Sequence, residues 1–210
     1  MRALPRGLYA ITPEEPDTAR LLVLVRAALA GGAAAIQYRG KDASAALRRE
    51  QARALAELCH QAGRPLIVND DVGLVHEVGA DGAHLGAEDG DLAAARRRLG
   101  PEKLLGASCY NRLELALAAK AAGADYVAFG AVFASPTKPA AVRAPLALFA
   151  EARRVVGLPI VAIGGITPEN AAAVIEAGAD AVAVISAVFD APDASARAHA
   201  FKRLFDQAQR

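Results

Sequence analysis

Residues 123–129 read Gly123-Ala124-Asp125-Tyr126-Val127-Ala128-Phe129, which puts a helix end, a tight turn and the opening of an apolar strand side by side. The same Gly-Ala-Asp step precedes an apolar run at Gly79-Ala80-Asp81 and again at Gly178-Ala179-Asp180, with Gly31-Gly32-Ala33 in the matching place nearer the start. Glycine is expected there, because helices often end on a left-handed residue that only glycine adopts cheaply. Successive copies lie about two strand-plus-helix units apart, so the chain reads as four quarter-barrels.

Working outward from these steps, apolar runs of strand length alternate with Ala-, Leu- and Arg-rich helical stretches. The pattern predicts strands at 7–11, 34–39, 65–69, 82–85, 104–108, 126–129, 159–163 and 181–185. Helices are predicted at 17–30, 44–61, 72–78, 91–99, 112–122, 145–156, 167–177 and 194–209. The 210 residues then give about 26 per unit, enough for a strand, a helix and two short loops. Eight parallel strands with helices outside make an α/β fold, a (β/α)8 TIM barrel, expected as a single domain over residues 1–210. A doubly wound open sheet would need a glycine-rich turn after the first strand, and Ile11-Thr12-Pro13-Glu14 has none.

Composition narrows the function. Lys and Arg number 24 against 23 Asp and Glu, a formal charge of +1, so no nucleic-acid partner is expected. Aromatic residues are 5% with no Trp, which weakens any base-stacking surface. Apolar residues are 54%, ample for a deep core. The longest greasy stretch, 21–36, is broken by Arg26 and Gly31-Gly32, so no membrane partner and a cytoplasmic location are expected. Cys59 and Cys109 lack metal-site spacing and read as buried thiols. Oligomeric state is open, a homo-oligomer being compatible with the sequence.

In such barrels the reacting groups gather where strands end and the following loops begin. Gln37, Arg39 and Lys41 alternate, so an extended chain puts them on one face, suited to gripping a phosphorylated ligand. Asp70 and Asp89 fall at the ends of neighbouring strands, close enough to share a hard cation such as Mg²⁺. Helix capping is the competing reading, by Asp70 or Asp71 at one helix and by Asp89 or Asp91 at the next. Gly164-Gly165-Ile166-Thr167-Pro168 offers exposed amides before a helix, with Thr167 expected as its N-cap and Pro168 as its first residue. With Ile185-Ser186 it occupies the place where barrels build a phosphate site; a tight turn needing glycine is the plainer alternative. Residues 130–144 have the length of a lid or binding loop and carry Thr137, Lys138 and Arg143. His60, His76 and His199 fall in predicted helices, whereas His84 could point inward. No Ser-His-Asp, zinc-protease or P-loop pattern appears.

At this point the residues match a known family. Gly7-Leu8-Tyr9-Ala10-Ile11-Thr12, Gln37-Tyr38-Arg39-Gly40-Lys41, Val68-Asn69-Asp70, Gly82-Ala83-His84-Leu85-Gly86-Ala87-Glu88-Asp89, Asp125 to Gly130, Thr137-Lys138 and Ala162-Ile163-Gly164-Gly165-Ile166 carry the resemblance. In that order and spacing, the chain resembles thiamin phosphate synthase over essentially its full length. The resemblance implies a transferase of thiamine biosynthesis. It would join 4-amino-2-methyl-5-(diphosphooxymethyl)pyrimidine to thiazole phosphate through a dissociative pyrimidine cation, releasing pyrophosphate. It implies that Gln37, Tyr38, Arg39, Gly40, Lys41, Asn69, Ser108 and Lys138 hold the pyrimidine diphosphate. Arg39, Lys41, Ser108 and Lys138 would be the catalytic ones. Asp70 and Asp89 would hold Mg²⁺, and Ser135, Pro136, Thr137, Gly165, Ile185 and Ser186 would contact thiazole phosphate. The family usually has Thr where Ser135 stands, and the hydroxyl remains. The rival expectations are a thiazole tautomerase, which shares the barrel but needs a proton shuttle, and a non-catalytic barrel that binds a phosphorylated metabolite.

Overall fold

The structure is a computed structural model that describes residues 3–86, 89–134 and 142–208. Its parallel strands are β1 Gly7–Ile11, β2 Ala35–Tyr38, β3 Leu66–Asn69, β4 Gly82–Leu85, β5 Leu104–Tyr110, β6 Tyr126–Gly130, β7 Ile160–Ile163 and β8 Ala181–Val184. They pair in chain order, and β1 also pairs with β8, so the barrel is closed. The helices are α1 Thr18–Ala30, α2 Ala45–Gln61, α3 Val72–Val78, α4 Leu92–Leu99, α5 Leu113–Ala121, α6 Leu146–Val155, α7 Ala171–Glu176, α8 Ser186–Phe189 and α9 Ala194–Gln207.

Strand alternation sorts the apolar residues into two layers. Leu8 and Ala10 of β1 pack outward with the helices, while Tyr9 and Ile11 face the bore with Ile67, Leu104, Tyr126 and Val161. Both layers are excluded from water, which explains why the strands read as continuous apolar runs.

The Gly-Ala-Asp repeat does more than end helices. Asp81, Asp125 and Asp180 each accept from an amide at the start of the neighbouring strand, at Leu66 (2.9 Å), Leu105 (2.7 Å) and Ile160 (2.9 Å). Their own amides bond back to the same residues' carbonyls at 2.8, 2.7 and 2.8 Å. A basic side chain backs each carboxylate: His60, Arg96 and Arg153 respectively. These clasps join β3 to β4, β5 to β6 and β7 to β8, so the quarter-barrel of the sequence repeat is a physical unit.

Three sequence expectations need correction. The helix after β7 starts at Ala171, not beside Thr167 and Pro168. Asn170 folds back instead, its Oδ1 accepting from the Thr167 amide (2.9 Å) and its Nδ2 donating to the Gly165 carbonyl (3.0 Å), which tightens residues 167–170 into a turn. The short helix α8 after β8 was not anticipated, because four residues are too few to show periodicity. Strand β5 also runs on to Tyr110 through a register shift beyond Ser108.

Candidate active site

The carboxyl ends of β1 and β2 are fastened together before any charged group is placed. Buried Thr12 accepts from the Arg39 amide (2.9 Å) through Oγ1, and its own amide donates to the Gln37 carbonyl (2.9 Å). Arg39 then leaves the strand at the rim, where its Nη1 donates to Glu14 Oε1 (2.8 Å). The same oxygen accepts from the Lys41 amide (3.0 Å), so Glu14 shapes the loop that carries both cations. Tyr38, between them, faces the helix layer and donates its phenol to Gln51 Oε1 (2.9 Å). Burial, with Glu14 nearby, pushes that phenol up to about 12.

Capping separates the aspartates. Asp71 accepts from the Leu74 amide (2.9 Å) and Asp91 from those of Ala93 and Ala94 (3.0 and 3.1 Å), so these two start α3 and α4. Asp70 and Asp89 are left for other work. Asp70 takes a left-handed backbone (φ 63°), with its amide on the His84 carbonyl (2.9 Å), and its carboxylate meets Lys41 Nζ at 3.2 Å. Asp89 turns back through a bond from the Gly86 amide to its Oδ2 (2.7 Å). The Asp70 and Asp89 carboxyl groups come within hydrogen-bonding reach of each other. Burial and this neighbour raise the Asp70 carboxyl above its ordinary range, and Lys41 offsets only part of the rise. A cleft lined by Gly40, Lys41, Arg48, Asn69 and Asp70 lies beside the pair.

The donor set fits a hard cation. Two carboxylates held this close repel each other, which a divalent ion relieves. Among the described residues no group of three or more His, Cys, Asp or Glu could hold a metal alone. A pair of carboxylates is the kind of partial donor set that would suit Mg²⁺, which keeps waters and takes substrate phosphate oxygens.

Inside the bore, just beneath the rim, Gln37 is buried and donates from Nε2 to the Tyr9 hydroxyl (2.8 Å). Tyr9 and Tyr126 hydroxyls lie 2.9 Å apart, Tyr126 meets His84 Nδ1 at 3.1 Å, and His84 Nε2 meets Ser108 Oγ at 2.9 Å. Burial lowers the His84 imidazole to about 4, so it is neutral at pH 7. Tyr9, Tyr126, Thr12, Glu14 and Asn170 escaped the sequence reading. Tyr9, Thr12 and Tyr126 stand in segments that carry the resemblance, but the apolar setting of the two tyrosines masks their hydroxyls, and Asn170 sits at the start of α7, beyond the turn that follows β7.

Across the mouth, Gly164 (φ 102°) and Gly165 (φ 62°) follow β7. A Cβ on Gly165 would lie 2.3 Å from the Ala134 carbonyl oxygen, so the turn passes tightly under the segment after β6. That segment is zipped to β7 by bonds from the Val132 and Phe133 amides to Ile163 and Gly164 (both 3.0 Å). Ile185, between β8 and α8, is half-buried, and Ser186 is exposed as the first residue of α8. Glu88, Ser135, Pro136, Thr137 and Lys138 lie outside the described residues.

Comparison with known proteins shows the family. The model of a family described as thiamine monophosphate synthase matches residues 8–188. The chain belongs to the thiamine monophosphate synthase family. A thiamine-phosphate synthase of Aromatoleum aromaticum is 61% identical over 96% of this chain and 97% of its own. One from Thiobacillus denitrificans is 59% identical over 98% and 97%. A solved thiamine phosphate pyrophosphorylase from Pyrococcus furiosus superposes with a TM-score of 0.85 at 36% identity, covering 96% of each chain. Membership in this family accounts for the barrel. Among the described residues, no helix is long and apolar enough to cross a membrane.

Proposed function

We propose that the chain is a Mg²⁺-dependent thiamin phosphate synthase, joining the pyrimidine methyl diphosphate to thiazole phosphate and releasing pyrophosphate. The observation that carries the reading is the contact of Lys41 with Asp70 at the rim that also holds Arg39 and Asp89. A departing diphosphate needs cations on several sides, and this is where the barrel collects them.

Asp70 and Asp89 would hold the metal, which when bound neutralises charge growing on the leaving group. Arg39 and Lys41 would clamp the diphosphate from the β2 side, with Asn69 and Ser108 as neutral partners and Lys138 closing from the loop after β6. Gln37 would orient the pyrimidine, and the backbone of Tyr38 and Gly40 would line its diphosphate. Gly165, Ile185 and Ser186, with Ser135, Pro136 and Thr137, would seat the thiazole phosphate. As the carbon–oxygen bond to diphosphate breaks, the pyrimidine methylene is left as a stabilised cation that the thiazole nitrogen captures. No proton need move in that step. A proton shuttle is what a tautomerase would require; Cys109, near the end of β5, instead packs in the helix layer, and burial pushes its thiol up to about 12.

The test mixes both substrates, Mg²⁺ and pure protein and follows pyrophosphate and thiamin phosphate. Equal amounts of the two products are expected. Release of neither overturns the proposal, and calorimetry showing phosphate binding indifferent to Mg²⁺ would favour a non-catalytic barrel. The same reading makes the whole chain one barrel, acting in the cytoplasm on small molecules.

A further inference from the structure

We infer that the hydrogen bonds inside the bore run in one direction, from the Gln37 amide through Tyr9, Tyr126 and His84 to Ser108. Tyr9, Tyr126 and His84 are then positioning residues that fix an acceptor at one end of the site and a donor at the other. An amide nitrogen can only donate. Gln37 Nε2 therefore gives its hydrogen to the Tyr9 oxygen, 2.8 Å away, and the one Tyr9 hydroxyl hydrogen is left for Tyr126, at 2.9 Å. Tyr126, having accepted, donates onward to His84 Nδ1 at 3.1 Å. That nitrogen carries no hydrogen in consequence, so Nε2 carries it and donates to Ser108 Oγ at 2.9 Å. The Ser108 hydroxyl hydrogen points away from His84, free for a ligand acceptor. At the far end the amide is oriented by its nitrogen, so the Gln37 carbonyl oxygen is left to accept.

The fold is shaped to hold this arrangement. A Cβ on Gly106 of β5 would lie 2.1 Å from Tyr126 Cζ, so glycine there is what lets the ring lie across the bore. The His84 ring stacks on Tyr126 (centroids 5.5 Å, 28°), and Tyr9 meets Tyr126 edge to face (6.0 Å, 82°). Tyr9 and Tyr126 are fully buried, where no water competes for the links and each hydroxyl polarises the next.

The direction is a property of the ligand-free protein; its effect on binding rests on the proposed function. Nitrogen-15 correlation spectra of the labelled protein distinguish its four histidines, with His84→Gln assigning the resonance. His84 is expected as the Nε2–H tautomer, and an Nδ1–H tautomer or an imidazolium at pH 7 overturns the inference. Tyr126→Phe keeps the ring and breaks the chain. Its kcat is expected to fall about tenfold, the worth of one neutral hydrogen bond, with a raised KM for the pyrimidine diphosphate and an unchanged KM for thiazole phosphate. Wild-type kinetics in that variant, or equal changes in both KM values, would reduce the chain to core packing. Lack of synthase activity in the wild-type protein would sink the proposed function and leave the tautomer result standing.

Discussion

Lys41 Nζ lies 3.2 Å from Asp70 Oδ2, so the cationic and anionic halves of the site touch before any ligand arrives. Each half is only partly neutralised by the other, since both side chains keep contact with solvent. A cation bound at Asp70 would release Lys41 toward the diphosphate, coupling metal binding to assembly of the clamp. Arg39→Ala and Asp70→Ala are each expected to lose about 10² to 10³ in kcat, the cost of one preorganised charge partner. Steady-state assays at saturating Mg²⁺ check this, with unchanged circular dichroism to show an intact fold. Turnover within tenfold of wild type in both variants would remove the clamp from the mechanism.

The same aspartate carries a cost when no metal is bound. Its carboxyl is raised in the folded state, so the unfolded chain ionises it more readily. The penalty is therefore fully present above the folded pKa and disappears as pH falls and the native carboxyl protonates first. Metal-free Asp70→Asn is expected to melt above wild type at neutral pH, with the advantage shrinking as the solution is acidified. Adding Mg²⁺ should reverse the order by stabilising wild type alone. Calorimetry with and without EDTA reads both effects; a variant that melts lower at every pH would contradict the charge assignment.

Glu14 holds the β2 loop by accepting from Arg39 Nη1 (2.8 Å) and the Lys41 amide (3.0 Å). Truncation frees the Arg39 charge but lets the loop wander, and a misplaced clamp costs more than a neutralised one. Glu14→Ala is expected to lower kcat/KM for the pyrimidine diphosphate about tenfold, and Glu14→Gln, which keeps an acceptor, about threefold or less. A gain in either variant would show that the Arg39–Glu14 pair restrains catalysis instead of supporting it.

Local rules made most of this legible. Glycine at helix ends, capping residues and strand-length apolar runs act within a few positions, which is why the strand order could be read before the barrel was seen. Arg39, Lys41, Asp70 and Asp89 stand out in the sequence because a rule of the fold puts chemistry at strand ends. Two things depend on groups far apart in sequence and so left no local trace, the grip of Glu14 on Arg39 and the link of Tyr9 to Tyr126, while the Asp125 clasp shows in sequence only as the Gly-Ala-Asp repeat, without its partner Leu105. The turn at 167–170 misled for the opposite reason, since Thr167-Pro168 is a good helix start that the Asn170 side chain overrides.

Asp125 tests whether the repeat is structural. Its carboxylate accepts from the Leu105 amide (2.7 Å) and pairs with Arg96, and both side chains are largely covered. Asp125→Ala strands the Leu105 amide and takes one partner from the Arg96 guanidinium, which keeps the Gly100, Lys103 and Gly123 carbonyls, far from the mouth. A loss of about 1 to 3 kcal/mol in unfolding free energy is expected, with KM values unchanged. Urea titration checks the first part and kinetics the second; an unchanged midpoint would make the clasp incidental.

Acid should act on the core through His84. Burial lowers its pKa from 6.5 to about 4, so below pH 6.5 the unfolded chain takes up a proton that the native bore refuses. This contribution to stability is complete above the unfolded pKa and is lost as pH falls from 6.5 toward 4, by roughly 3 kcal/mol in total. His84→Gln, though less stable at pH 7, is expected to show a flatter dependence of unfolding free energy on pH over that interval. Parallel curves for variant and wild type would mean that the imidazole is not held neutral by the bore.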